Sequence, residues 1–326
     1  MNTPILLITF NRPDHVRRVL TEILKQNPSS LYICQDGARE NNDIDHIKCQ
    51  EVRDVINELT SAYRINNKDF HLHTLYQTKN LGCGPGPAAG ITWFFDHVEM
   101  GIVMEDDCLP HADFFVYCEE LLERYKDNER ISFIGGCNYS FAISTNASYS
   151  FMGGHHQTWG WASWKRTWKQ FEYYLKEWDD DQFEKVVKNY YKDNRQRTYW
   201  KKIFSMVKKD RLKDSCWDYQ LYFSCWKMCQ LAICPSVNLV SNVGFGKDAT
   251  HTNSENNDML NLKTSTILPL VHPKNIVYDR SLDDYMMKKY IIPYEYGWSG
   301  FKRIPYHINA YIKKLLNHQG PWLKKN

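Results

Sequence analysis

Along the first half of the chain, short apolar runs alternate with longer stretches in which apolar residues recur every three or four positions. Pro4 to Phe10 is a continuous apolar run, too brief for a helix, and predicts a buried strand. Asn11-Arg12-Pro13-Asp14 then opens a stretch in which Val16, Val19, Leu20, Ile23 and Leu24 share one helical face. The unit repeats. Leu31 to Cys34 predicts a second strand, and Val52, Val55, Ile56 and Leu59 mark a second amphipathic helix. His71 to Tyr76 predicts a third strand, followed by a helix with Ile91, Phe94, Phe95 and Val98 on its buried side. Ile102 to Met104 and Ile131 to Gly135 are two further strands. Strands alternating with helices at this spacing predict an α/β fold, a mainly parallel sheet with helices on both faces. Such sheets bind ligands at the carboxyl ends of their strands.

From residue 151 the pattern changes, and six of the eleven tryptophans fall between 159 and 200. Trp161, Trp164 and Trp168 recur at helical spacing, which reads as packing. Trp159 and Trp161, on either side of Gly160, are the candidates for lining a sugar site, because aromatic faces suit the C–H surface of a pyranose. Asp179 to Lys213 is charged and helical in pattern and reads as a solvated face. Trp217-Asp218-Tyr219-Gln220-Leu221 opens another helix; its positive end favours the Asp218 carboxylate and argues against a raised pKa. Pro235 to Val240 predicts a last strand, and Asn242 to His251 a glycine-punctuated loop.

Composition sets bounds on this picture. A chain of 326 residues that is 43% hydrophobic and 24% charged can bury a large core. With 41 basic against 38 acidic residues the balance is too even to argue for nucleic acid as a partner. No apolar run approaches the roughly 20 residues of a membrane-spanning helix. The ten cysteines are scattered without a Cys-x-x-Cys pair, so neither a zinc site nor a thioredoxin-like centre is indicated. Reduced thiols point to the cytoplasm. Asn138-Tyr139-Ser140 and Asn146-Ala147-Ser148 match glycosylation acceptors, which carry weight only in a secreted chain.

The chemistry-bearing residues gather at predicted strand ends: Arg12 after the first, Asp36 after the second, Asn80 after the third and Glu105-Asp106-Asp107 after the fourth. Repelling carboxylates at a strand tip need a cation, and hard oxygen ligands suit Mg²⁺ or Mn²⁺, ions that also neutralise a diphosphate. Turn and cap roles remain open for each residue, above all for Asp36 before Gly37. The turn Gly82-Cys83-Gly84-Pro85-Gly86-Pro87 superficially resembles a dinucleotide fingerprint. It follows the wrong strand, and its two prolines remove backbone donors, so it is expected to shape the crevice without cradling phosphate.

Taken in order, Pro4-Ile5-Leu6-Leu7-Ile8 with Arg12, Gln35-Asp36, Glu105-Asp106-Asp107 with Pro110 and Asp113-Phe114-Phe115, and Trp217-Asp218 resemble the N-acetylglucosaminyltransferase I type of GT-A glycosyltransferase. Asn80-Leu81-Gly82-Cys83 and Trp159-Gly160-Trp161-Ala162 are similar to segments of bacterial sugar-nucleotide transferases of surface-polysaccharide pathways. The resemblance implies a GT-A-like, nucleotide-diphospho-sugar transferase fold over 1–252, with a nucleotide-binding half (1–125), an acceptor and catalytic half (126–252), and a C-terminal extension (253–326). It further implies that Thr9, Asn11, Arg12, Asp36, Asn80 and Gly82 surround the nucleotide, that Glu105 and Asp106 line nucleotide and sugar, and that Asp107 alone ligates Mn²⁺ or Mg²⁺. Asp218 matches the catalytic base, which implies an inverting transfer from a nucleotide-sugar donor, UDP-linked, to a hydroxyl of a glycan or lipid-linked glycan.

Three expectations stay open in the sequence. Lys247 and His251 either reach the donor diphosphate as their loop closes, or belong to a plain surface loop. The tail from Phe301 to Lys325 mixes aromatics with basic residues, which suits an anionic membrane surface at the inner face of the cell membrane as well as a helix packed on the domain. Two rival functions also remain, a sugar-nucleotide-binding subunit without turnover and a nucleotidyltransferase. The second would carry a glycine-rich basic loop directly after the first strand, where this chain has only Arg12.

Overall fold

The computed structural model describes residues 1–139, 146–175, 179–209, 216–244 and 262–291. Lys247, His251 and the tail 301–326 lie outside the described residues. The first half runs β1 (Ile5–Thr9), α1 (Pro13–Leu24), β2 (Ser30–Gln35), α2 (Asp43–Asn66), β3 (His71–Tyr76), α3 (Pro85–His97), β4 (Met100–Glu105), β5 (Cys108–Pro110), α4 (Ala112–Arg124) and β6 (Ile131–Gly135). The second half adds β7 (Tyr149–Met152), β8 (Trp161–Trp164), α5 (Lys165–Trp168), α6 (Asp180–Tyr190), α7 (Asn194–Lys208), α8 (Asp218–Lys227), β9 (Leu231–Pro235), β10 (Val240–Asn242) and α9 (Arg280–Met286).

Eight strands form one sheet in the order β3-β2-β1-β4-β8-β6-β9-β7, and β5 pairs with β10 in a separate ribbon. β1 to β4 are mutually parallel, as are β6 and β9, while β8 and β7 run against their neighbours. The expected mainly parallel sheet with helices on both faces is therefore the fold found. β1 is buried along its whole length because both faces are covered, which is why it reads as an unbroken apolar run. Leu6 and Ile8 face Ile91, Phe94 and Val103, whereas Ile5 and Leu7 face Val16, Leu20 and Leu121.

Three expectations are corrected. Trp161 and Trp164 lie on a strand and not a helix; three residues apart on a strand means opposite faces, and since both faces are covered, both rings are buried. The charged stretch after Asp179 is not simply a solvated face. Helices α6 and α7 bury Phe183, Val187, Trp200, Ile203 and Phe204 in a third core against α8. The strand predicted over Pro235 to Val240 falls on the gap between β9 and β10. Pro235 has no N–H to extend the ladder and closes β9. The run after the acidic triplet turns back as β5, and Pro110 tolerates its place at the end of a two-stranded ribbon.

Helix α8 is buried all round from Tyr219 to Trp226, Gln220 and Ser224 included, because it is wedged between the sheet and α6–α7. That wedge fixes where its first residue, Asp218, points relative to the sheet. Residues 262–291 return to the body of the protein. Asp113 at the start of α4 accepts from Thr266 Oγ1 (2.6 Å) and the Ile267 N–H (2.9 Å), and Asp283 accepts from the N–H groups of Gly153 and His155, both at 2.9 Å. All ten cysteines are free, and no helix among the described residues is long and apolar enough to cross a membrane.

Candidate functional site

The pairing Ile8↔Glu105 brings the ends of β1 and β4 side by side, so Arg12 and the acidic triplet meet across adjacent strands. Arg12 Nη1 donates to Asp107 Oδ2 at 3.0 Å, and Nη2 to Asp106 Oδ1. The cation that offsets the triplet within the protein is thus a guanidinium. Burial alone would lower the Arg12 pKa, but the two aspartates outweigh it and hold the side chain firmly charged. Asp106, 2% exposed, also accepts from the Phe10 N–H at 3.3 Å. Burial pushes Asp106 up to about 6 against the lowering pull of Arg12. Burial and the charges of Asp107 and Asp106 push Glu105 up to about 8.

One arginine against three carboxylates leaves an excess of negative charge, which adds to the burial that raises Glu105 and Asp106. A divalent cation fits such a place. Among the described residues Asp107 Oδ1 is engaged by long contacts, to Asn242 Nδ2 at 3.4 Å and Cys108 Sγ at 3.6 Å, which leaves it a lone pair for an ion. Among the described residues no three His, Cys, Asp or Glu side chains converge as a ready-made metal cage. The fit is to an ion with one protein carboxylate, its other ligands coming from substrate and water, as magnesium-type sites are commonly built.

The ribbon of β5 and β10 carries residues that sequence reasoning missed. Val243 N–H bonds the Asp107 carbonyl at 2.8 Å, Asn242 Oδ1 accepts from the Gly244 N–H at 2.8 Å, and His15 bonds the Val243 carbonyl at 3.1 Å. A Cβ on Gly244 would collide with the Asp107 carboxylate, so only glycine passes there. The alternation Asn-Val-Gly was visible, but nothing local linked it to Asp107.

At the far side of β1, Asp36 receives four donors: the N–H groups of Gly37 and Leu81 at 2.9 Å, Gly82 N–H at 3.0 Å and Asn80 Nδ2 at 3.0 Å. That number fills a carboxylate's capacity. Asp36 staples the loop after β2 to the turn after β3, and Gly82, at φ 90°, makes the turn possible. Burial nevertheless raises the Asp36 pKa, against those bonds. Asn80 is part of the same staple, giving its amide also to the Gly37 carbonyl at 2.8 Å.

Thr9 is 3% exposed and donates its hydroxyl to the Cys34 carbonyl at 3.1 Å, which ties β1 to β2. Asn11 bonds Asp45 Oδ1 at 2.7 Å, tying the end of β1 to α2. Trp161 is 1% exposed and stacks on Phe133 and Trp217, with ring centroids 4.9 and 5.9 Å apart. That enclosure puts the ring in the packing between the sheet and α8. Trp159 is half-buried, edge-on to Tyr139 at 5.2 Å.

Asp218 is the first residue of α8 and accepts from the Tyr222 hydroxyl at 3.3 Å; that hydroxyl also reaches the His156 carbonyl at 2.8 Å. The expectation of an unraised pKa is corrected. Burial raises it, outweighing the N–H of Tyr219, its own N–H and the Tyr222 hydroxyl. The Asp218 charge in turn contributes, after burial and the triplet's own charges, to raising Glu105.

No family model matches the chain, and no curated protein matches it. Solved structures similar to it include a mannosyltransferase, PcManGT from Pyrobaculum calidifontis in complex with GDP-Man and Mn²⁺, at 10% identity and TM-score 0.36 over 52% of this chain and 47% of that one. The chain thus spans less than half of that protein. They also include a galactosyltransferase, LgtC, in complex with donor and acceptor sugar analogs (7% identity, TM-score 0.32, 68% of this chain and 69% of that one). A third is a UDP-glucose pyrophosphorylase complexed with UDP-glucose (10%, 0.32, 52% and 79%). Identities of this order carry no residue role across.

Proposed function

We propose that the chain is a GT-A-type glycosyltransferase of the N-acetylglucosaminyltransferase I kind, moving a sugar with inversion from a nucleoside-diphosphate donor, UDP-linked, to a hydroxyl of a glycan. The observation that supports this reading most is the cluster of Arg12 with Asp106 and Asp107 at the adjoining carboxyl ends of β1 and β4, near enough to Asp218 of α8 for its charge to act on Glu105. A part-buried carboxylate of raised pKa suits a general base, since its hold on a proton is strengthened while the proton can still be handed on. In this reading Asp218 takes the acceptor proton as the hydroxyl attacks. Asp107 would hold Mn²⁺ or Mg²⁺ through Oδ1, and the ion would neutralise charge on the leaving diphosphate. Arg12 keeps Asp106 and Asp107 in place, and Asp36 acts by shaping the loops that the nucleotide meets. A cytoplasmic position and a lipid-linked acceptor belong to the same reading, as does a catalytic domain over 1–252.

The test is a thermal-shift screen of nucleotide sugars with and without Mn²⁺, followed by product analysis. A bound donor at 100 times its dissociation constant stabilises by about 2.7 kcal/mol. Release of nucleoside diphosphate supports the reading. Pyrophosphate would establish a nucleotidyltransferase instead, and stabilisation without turnover a binding subunit.

A further inference from the structure

Among the groups around Asp218, one has two acceptors and a single proton to give. The Tyr222 ring is 2% exposed, stacks on His156 (5.2 Å between centroids, 15° between planes), meets Trp200 edge-on at 6.2 Å and lies beside Trp226 at 6.5 Å. A ring packed on three sides cannot swing, so its oxygen is a fixed point and only the O–H bond rotates. From that point the His156 carbonyl lies at 2.8 Å and Asp218 Oδ2 at 3.3 Å.

We propose that Tyr222 is a positioning residue for Asp218, a hydroxyl rotor that turns toward the carboxylate while Asp218 is ionised and back to the His156 carbonyl once Asp218 has taken a proton. The inference rests on Asp218 being the base. A hydrogen bond to an ionised acceptor is about twice as strong as one to a neutral group, so ionisation draws the hydroxyl to Oδ2 despite the longer distance. Protonation cancels that advantage, and the carbonyl, nearer and aligned, recovers the donor. The rotor therefore moderates the basicity that burial gives Asp218 and holds Oδ2 in one orientation. The proton on Tyr222 never leaves its oxygen; the only bond made to hydrogen is between Asp218 and the acceptor's proton.

The ionisable groups around the pair are Glu105 from β4, Cys216 before α8, Tyr219 on α8, Tyr199 on α7, Tyr139 after β6 and Tyr191 after α6, with His155 and His156 against the Tyr222 ring. The Tyr219 N–H also reaches the Asp218 carboxylate, and Tyr222 supplies a side-chain hydroxyl to it at Oδ2. Neither ring nitrogen of His156 has a partner among the described residues, and its carbonyl, not its imidazole, is what the rotor uses.

The experiment is a pH titration of aspartate side-chain carboxyl carbons by NMR in the wild-type and Tyr222→Phe proteins, with Asp218→Asn assigning the resonance. Glutamates stay silent under selective aspartate labelling, which removes Glu105 as a confounder. Phenylalanine keeps the packed ring, and a melting curve confirms the fold. The expected result is a rise of about one pH unit in the Asp218 midpoint, the worth of one charge-assisted hydrogen bond, with the acid limb of the kcat/KM profile moving the same way. An unmoved midpoint overturns the rotor; a moved midpoint with an unmoved rate profile overturns its role in positioning the base. The titration needs no turnover, so failure of the base reading shows separately, as near wild-type transfer by Asp218→Asn.

Discussion

Replacing Arg12 with methionine tests how the acidic triplet is held together. The change keeps an unbranched stem and removes the only basic side chain that bonds Asp106 and Asp107 among the described residues. Taking one partner from a buried pair costs about 3–5 kcal/mol. Arg12 keeps 23% and Asp107 13% side-chain exposure, so solvent screens part of the loss and the lower end, about 3 kcal/mol, applies at pH 8. The pH dependence carries the sharper information. Asp106 stands at about 6 with Arg12 present, above its ordinary 3.8, and goes higher without it.

A folded-state pKa above the unfolded value means that the native state binds the extra proton. The stabilisation from protonation is then complete below about pH 4 and is lost as pH rises through the folded pKa. The deficit of Arg12→Met relative to wild type should therefore be largest near pH 8 and shrink toward pH 5, since a protonated Asp106 needs no counter-ion. Urea unfolding at pH 8, 6.5 and 5 reads this directly. Adding Asp106→Asn to Arg12→Met removes the unpaired charge while its amide oxygen still accepts from the Phe10 N–H, and should recover at least half the loss. A deficit equal at pH 8 and pH 5, or no recovery by asparagine, would refute the reasoning.

Three further outcomes follow from the same geometry. Asp218→Asn should keep its melting temperature and donor affinity while transfer falls by about 10²- to 10⁴-fold; transfer near the wild-type rate sinks the proposed base. Gly244→Ala forces a Cβ against the Asp107 carboxylate and should weaken Mn²⁺-dependent donor binding, measured calorimetrically, with little effect on binding of nucleotide without metal; equal loss in both would detach the β10 strap from the metal. Trp161→Ala should cost about 3–5 kcal/mol in unfolding free energy as a core truncation, and a variant that stayed stable but lost only sugar binding would restore Trp161 to the sugar site.

Much of the sheet was legible because β1, β2, β4 and β6 are short apolar runs bounded by polar turns, and α1, α2 and α3 show a buried face at a period of 3.6. His71–Tyr76 and Ile131–Gly135 match the observed strands to the residue. Where both faces of a segment are buried, that periodicity vanishes. Trp161 and Trp164 then look like one helical stripe while packing on opposite sides of a strand, and β9, another continuous run, went unmarked. Antiparallel β8, inserted between β4 and β6, is a choice of topology that no local pattern encodes.

The site was legible in location and less so in its wiring. Polar residues at the carboxyl ends of parallel strands could be gathered into one crevice before any coordinates, because the sheet's geometry forces them there. Which of them face a ligand and which face each other depends on pairings across long stretches of chain: Arg12 with Asp106 and Asp107, Asp36 with the 80–82 turn, Asn242 with Asp107. Asp218 shows why. From sequence its helix N-terminus argues for an easily ionised carboxylate, a correct local rule whose contributions remain in the N–H groups of Tyr219 and of Asp218 itself. Burial, created by α6 and α7 packing across α8, outweighs them. The sign of a pKa shift is set by the competition between a local dipole and a tertiary dielectric, and only the first of these is written in a contiguous stretch of residues.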